Sequence, residues 1–166
     1  MATLETPRLI CIPLKEDHAK AMFAVLQDAN LYRHIADRPP ESIEALRHRY
    51  RTLAIGRSAD GSETWLNWVL FLKSRHEPIG YYQATVRTHA LIAYVIHSSF
   101  WHRGFAKEAG QSVLSYLFDT YPINEVRAAI NQHNAASIKL ANRLGFSFKA
   151  YNGTEKEMIL PRHRFI

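Results

Sequence analysis

Two short segments of the 166-residue chain carry residue types and spacings from which chemistry can be built. The first is Trp101-His102-Arg103-Gly104-Phe105-Ala106-Lys107-Glu108-Ala109. It joins the apolar run Leu91-Ile92-Ala93-Tyr94-Val95-Ile96 to a stretch with helical period, so the N–H groups of residues 103–107 are expected to be the unpaired donors of a helix start. Such a terminus attracts anions: the macrodipole favours negative charge, and Gly104 has no Cβ to keep a phosphate from the backbone. Arg103 and Lys107 add side-chain charge. A glycine at a strand-to-helix turn also serves purely structural ends, and neither GxxxxGK[ST] nor GxGxxG is present. The second segment is Asn131-Gln132-His133-Asn134-Ala135-Ala136-Ser137. Ser137, Leu140, Ala141 and Leu144 recur at i, i+3, i+4 and i+7, which places a hydroxyl on the inward stripe of a helix, where it needs a partner. One reading bonds Ser137 back to a helix carbonyl with Asn134 as the N-cap. The other leaves the hydroxyl for a ligand.

The elements that would position these segments follow from period and punctuation. Leu9–Ile12 reads as a strand ended by Pro13. Helices are expected near Asp17–Gln27, with Ala19, Met22, Phe23 and Leu26 on one face, and over Ser42–Leu53, with Ile43, Leu46, Tyr50 and Leu53. Trp65–Lys73, Ile79–Val86 and Ala90–Ile96 are rich in aromatic and branched residues and are separated by polar turns, the pattern of an antiparallel meander. The third is apolar on both faces, which predicts a central strand covered on both sides. A long helix follows over Phe105–Asp119, with Ala106, Ala109, Gly110, Val113, Leu114 and Leu117 inward. Glu125–Ile130 reads as a strand and Ala135–Leu144 as a helix closed by Gly145. Phe146–Tyr151 and Glu157–Leu160 complete the set as strands. The order β-α-α-β-β-β-α-β-α-β-β predicts an α+β (mixed α/β) fold whose central sheet carries helices on its faces.

Composition narrows the function classes. With 47% apolar and 22% charged residues and no repeat, linker or low-complexity tract, residues 1–166 read as one folded domain. The one cysteine, Cys11, has no partner in the chain and no CxxC context, so neither a disulfide nor a zinc site is expected, and a reducing, cytoplasmic setting is. The longest apolar stretches, such as Leu66–Leu72, fall far short of the ~20 residues of a membrane span, and Met1–Glu5 lacks the basic and apolar regions of a signal peptide. The net charge of +6 suits a polyanionic ligand. The run Arg47-His48-Arg49-Tyr50-Arg51 spreads its cations around a helix, and no zinc-finger or RNP pattern accompanies it, so a nucleic-acid partner is not expected.

Arg103-Gly104-Phe105-Ala106, Asn134-x-x-Ser137 and Leu144-Gly145-Phe146, in that order, resemble the GNAT N-acetyltransferase superfamily. The opening Thr6-Pro7-Arg8-Leu9-Ile10, the stretch Phe100–Ala109 and Asn134-Ala135-Ala136-Ser137-Ile138 are similar to its RimJ/RimL-like branch of ribosomal-protein N-terminal acetyltransferases, and the likeness runs from Thr6 to Leu160. The resemblance implies a mostly antiparallel twisted sheet of six to seven strands flanked by about four helices. It implies acetyl-CoA as cosubstrate, no metal, and an amine acceptor, either a protein N-terminus or a small molecule, attacked directly in a ternary complex. By the same resemblance, Arg103, Gly104, Phe105, Ala106 and Lys107 would hold the pyrophosphate. Tyr94, Val95 and Ile96 would pair with pantetheine like an added strand, while the strand at Glu125–Ile130 splays away. Asn134 would hold pantetheine, and Ser137 would donate a proton or hydrogen bond to the departing thiolate.

Two positions depart from the family pattern. Many relatives carry a basic Glu where this chain has Leu91, and an acidic Tyr where it has Ala141. The acid role then falls to Ser137, and the base is unassigned, with His97 and His133 having suitable intrinsic pKa values. A strong base is not required for an α-amine with a reference pKa of about 7.7–8.0. These departures also fit a non-catalytic CoA-sensing domain, and the charge a ribosome- or RNA-binding module. The acceptor would be shaped by the segment Asp17–Leu53, the turn Arg87–His89 and the loop Tyr151–Thr154, in a monomer or homodimer.

Overall fold

The computed structural model describes residues 1–165. In chain order the elements are β1 (Leu4–Glu5), β2 (Leu9–Pro13), α1 (Ala19–Leu26), α2 (Ile43–Leu53), β3 (Thr64–Leu72), β4 (Glu77–Val86) and β5 (Ala90–Ile96). They continue with α3 (Phe105–Thr120), β6 (Glu125–Asn131), α4 (Ala135–Arg143), β7 (Ser147–Asn152) and β8 (Glu155–Pro161). The strands form one sheet in the order β1-β2-β3-β4-β5-β6-β8-β7, antiparallel except for β5 against β6.

The sheet has eight strands where seven were expected, because the chain turns at Thr6-Pro7-Arg8 and lays Leu4–Glu5 against Ile10–Cys11. Thr6 closes that turn, its backbone N–H donating to the Leu9 carbonyl at 3.0 Å and its hydroxyl accepting from the Leu9 N–H at 2.9 Å. A two-residue strand has no period to read. At the other end of the sheet β8 starts at Glu155, two residues before its apolar stretch.

Two hydrophobic layers hold the sheet. On one face α3 buries Phe105, Ala109, Val113, Leu114 and Leu117 against Tyr82, Ile92, Val126 and Leu160. On the other, α1 and α2 bury Met22, Leu26, Leu46 and Tyr50 against Val69 and Val95. The second layer stops short. Leu91 is 44% exposed and Ala93 is exposed, so β5 is covered on both faces only toward its C-terminal end, against the expectation of full cover. Its apolar outward residues Leu91 and Ala93 are open to solvent. In the basic run of α2, His48, Arg49 and Arg51 are exposed, Arg47 is half-buried and Tyr50 is buried, and the Arg51 guanidinium bonds Glu16 at 2.7 and 2.9 Å.

Candidate active site

The sheet opens between its two central strands. β5 pairs with β6 only at Ala90↔Val126 and Leu91↔Arg127, whereas β5 pairs with β4 along Ala90–Ile96 and β6 with β8 along Glu125–Asn131. Each strand therefore follows its other neighbour, and beyond Leu91 and Arg127 their facing edges separate into a wedge. The edge residues Tyr94, Val95 and Ile96 lie along it. The Ile96 carbonyl already accepts from the Trp101 indole at 2.6 Å, which assigns Trp101 a backbone-capping contact.

The turn from β5 to α3 closes the wide end of the wedge. His102 and Gly104 both take left-handed backbone, with φ of +59° and +83°. The first helical bond runs from the Glu108 N–H to the Gly104 carbonyl at 3.0 Å, so the N–H groups of Phe105, Ala106 and Lys107 precede the helical ladder. Arg103 and Lys107 are exposed beside them, and the Arg103 guanidinium lies 5.2 Å from the centre of the Phe105 ring. The five residues expected to form a phosphate cradle are thus one turn.

That turn is braced by the start of the chain. Glu108 accepts from the Thr6 hydroxyl at 2.6 Å, the Arg8 N–H at 2.8 Å and the Arg8 guanidinium at 2.7 Å. Arg8 also donates to the Arg103 carbonyl at 3.0 Å and lies 4.3 Å over the Phe105 ring. Burial alone would raise the Glu108 pKa, but the bonds from Thr6 and Arg8 outweigh it and hold the carboxyl below its ordinary value. A depressed carboxylate stabilises the fold above its unfolded pKa and loses that contribution as pH falls through the folded value. Glu108→Gln is expected to cost about 1 kcal/mol at pH 7, allowing for the exposed Arg8 partner, or about 2–4 °C in Tm. The gap between the two proteins should narrow in thermal melts as pH falls below the ordinary carboxylate value of 4.5; a gap of constant size across pH would refute the ionic bracing.

Across the wedge, α4 presents Asn134 and Ser137. Asn134 caps the helix, its side-chain oxygen accepting from the Ser137 N–H at 3.2 Å. The Ser137 hydroxyl does not bond back to a helix carbonyl; it meets the Tyr94 hydroxyl at 3.0 Å. Tyr94 is set by stacking on Tyr82, ring centroids 5.1 Å apart, and burial pushes its phenol pKa up, partly offset by the bond to Ser137. At the position where many GNAT proteins carry a tyrosine, Ala141 is buried in the core, so the phenol in this wedge comes from β5. Sequence reading named Tyr94 for its backbone and missed its hydroxyl, because a pairing between residues 94 and 137 leaves no local signal.

The two histidines occupy different settings. His97 is tied down, with its Nδ1 2.8 Å from the Ser99 hydroxyl and 3.8 Å from Asp28. His133 is exposed on the turn before α4. Beside Leu91, Arg127 is clamped by Glu125 at 2.6 Å and Glu157 at 2.8 Å, so the carboxylates nearest the usual Glu position are engaged. His89, singled out by nothing in the sequence, adjoins this cluster; burial and then the Arg127 charge hold its pKa below the ordinary imidazole value. Cys11 is buried, and desolvation pushes its thiol up to about 12, which removes it as a nucleophile at neutral pH.

On the face opposite α3, a slot runs between α1, α2 and the sheet, lined by Leu14, Leu46, Tyr50, Asn67, Tyr81 and Val95 among others. Val95 belongs both to this slot and to the edge of the wedge. The two openings thus meet at one strand.

A wedge between parallel central strands, an open helix start at its end and a hydroxyl pair across it form the frame of an acyltransferase of the GNAT type. Residues 8–147 match the family model "Acetyltransferase (GNAT) domain", and the chain belongs to that family. It is 29% identical to the uncharacterized N-acetyltransferase YoaA of Bacillus subtilis (strain 168), over 98% of this chain and 88% of that one. Its fold matches the ribosomal-protein-S5-alanine acetyltransferase of Vibrio fischeri with a TM-score of 0.81 at 16% identity, covering 98% and 96% of the two chains. It also matches RimL, a ribosomal L7/L12 alpha-N-protein acetyltransferase solved in complex with coenzyme A, with a TM-score of 0.80 at 17% identity over 96% of each chain.

Proposed function

We propose that the protein transfers the acetyl group of acetyl-CoA to a primary amine, with the cosubstrate in the β5–β6 wedge and the acceptor in the slot beneath α1 and α2. The observation that carries this reading is the separation of β5 from β6 after two residue pairs, directly before an open helix start. The backbone N–H groups of Phe105, Ala106 and Lys107, with Arg103 and Lys107 beside them, suit a pyrophosphate. The free edge at Tyr94–Ile96 suits an extended amide-bearing arm, which pairs as a strand would, and Asn134 keeps an amide N–H₂ for the same arm.

The amine attacks the thioester carbonyl, a C–N bond forms and the C–S bond breaks. Ser137 donates a hydrogen bond to the departing sulfur, and the proton lost by the amine reaches the thiolate through solvent. Tyr94 positions the serine by donating to its oxygen, which leaves the serine O–H free to turn toward the sulfur. The elevated phenol pKa keeps that donor intact through the pH range in which amines are neutral. No strong base is needed, because the acceptor amine is already partly neutral near its reference pKa.

Calorimetry with acetyl-CoA and CoA release over a panel of amines test the proposal; absence of acetyl-CoA binding would sink it. Ser137→Ala is expected to lower kcat by about 10- to 100-fold with little change in acetyl-CoA affinity. Tyr94→Phe should lower kcat by up to about tenfold, and the double variant should be no slower than Ser137→Ala alone, as for two groups acting in series. Additive losses would remove Tyr94 from this role.

A further inference from the structure

A groove of about 520 Å³ lies beside the start of α3, on the side of β2 and β3. Four cations line it: Arg8 ahead of β2, Lys73 and Arg75 in the turn from β3 to β4, and Arg103 ahead of α3. The Phe100 and Phe105 rings share the lining, and none of the lining residues is a carboxylate.

Backbone pairing brings these cations together. β2 pairs with β3 at Leu9↔Leu72, and the Lys73 N–H donates to the Arg8 carbonyl at 3.0 Å, so the β3–β4 turn is held beside Arg8. Arg8 spends Nε on Glu108 and Nη1 on the Arg103 carbonyl, which leaves Nη2 without a hydrogen-bond partner among the described residues. That Nη2 would stand 3.4 Å from a Cβ on Gly104, so the free end of the guanidinium faces the helix start. Arg103 has no carboxylate partner among the described residues and lies 5.6 and 5.2 Å from the centres of the Phe100 and Phe105 rings. Lys73 and Arg75 meet Glu5 and Glu77 at 3.2 and 3.5 Å, but the Glu5 and Arg75 side chains are 70% and 71% exposed. Pairs so exposed are worth little and give way to a stronger anion.

Charge also sets the direction in which an anion leaves the helix start. A second hollow beside Gly104 holds Lys107 together with Glu5 and Glu108, two carboxylates to one cation. A phosphate monoester, with a charge of about −1.5 to −2 at pH 7, is repelled there and attracted into the cationic groove.

We infer that the groove is a phosphate-monoester site and that the monoester is the 3′-phosphate of CoA. This rests on the acetyl-transfer reading above, with the pyrophosphate on the helix start. One ribose separates the two phosphate groups in CoA, and the groove shares Phe105 with the helix start, so a single ligand reaches both. Arg8 and Arg103 then serve both groups, and Lys73 and Arg75 the 3′-phosphate alone.

Calorimetry with acetyl-CoA and acetyl-3′-dephospho-CoA tests this. The wild type is expected to bind acetyl-CoA about tenfold more tightly, as suits charge-assisted bonds at a partly exposed site. In the double variant Lys73→Gln, Arg75→Gln, acetyl-CoA affinity should fall to that of the dephospho form, whose own affinity stays at the wild-type level and shows that the fold is intact. Equal wild-type affinities for the two forms, or an undiminished preference in the double variant, would overturn the inference and leave acetyl-CoA binding standing. Inorganic phosphate should find no site once acetyl-CoA is bound; phosphate binding alongside it, lost in the double variant, would give the groove to a separate phosphate ligand and also overturn the assignment. Binding of neither form would overturn the acetyl-transfer reading as well.

Discussion

Replacing Gly104 with glutamate is expected to raise the dissociation constant for acetyl-CoA at least about 100-fold, which corresponds to roughly 2.7 kcal/mol of lost binding energy. Two effects add. The residue sits at φ +83° and ψ 0°, a left-handed conformation that costs an L-residue about 1–2 kcal/mol. Its Cβ would lie 3.4 Å from the Arg8 guanidinium, which places a carboxylate among the cations that face the phosphate site. The glutamate then competes for the site as an internal anion and repels the pyrophosphate from N–H groups that cannot move away. Gly104→Ala separates the two effects, since it keeps the backbone strain and adds no charge; a loss of a few-fold is expected from it, in line with about 1 kcal/mol of strain. Calorimetry on both variants checks the assignment. Native affinity in Gly104→Glu would place the phosphates elsewhere.

What the sequence reveals of this site depends on the range of the interaction. The helical stripes were legible because burial follows a local period: Leu46 and Tyr50 on α2, and Ala109, Val113, Leu114 and Leu117 on α3, are buried as the spacing predicts. The turn into α3 was legible for the same reason, since a glycine between strand and helix is a local signal. The apolar run in β5 misled, because Leu91 and Ala93 look like core residues but are left exposed beyond the cover of α1 and α2. Apolar character there suits a substrate surface as well as a core. Both segments of the Thr6–Arg8–Glu108 brace were noticed as motifs, yet their contact spans 100 residues and nothing local announces it. The Tyr94–Ser137 pair and the unpaired Tyr50 hydroxyl are likewise products of tertiary packing. Local chemistry therefore pointed to the turn proposed to hold the cosubstrate, while the slot beneath α1 and α2 emerged only once strands and helices were assembled.

Gly80→Ala is expected to damage fold and site together, lowering stability by about 3 kcal/mol, or about 6–12 °C in Tm for a chain of this size. The reason is proximity. Gly80 pairs with Ile96 in β5, next to the register shift where β3 passes from Leu70 to Phe71. A Cβ built there would overlap the Val95 carbonyl oxygen and stand 2.9 Å from the Ile96 Cα, both backbone atoms that no rotamer change can clear. The strand end must therefore shift, and in the proposed function that strand end serves both ligands. Tyr94–Ile96 edge the wedge, and Val95 also walls the acceptor slot. A variant that remains folded should thus lose acetyl-CoA affinity and amine turnover in parallel, unlike Ser137→Ala, which is expected to spare affinity. Thermal melts with calorimetry separate these patterns. If Gly80→Ala melted within 1 °C of the wild type, the close approach of β4 to Val95 would be wrong, and with it the placement of one strand between the two substrates.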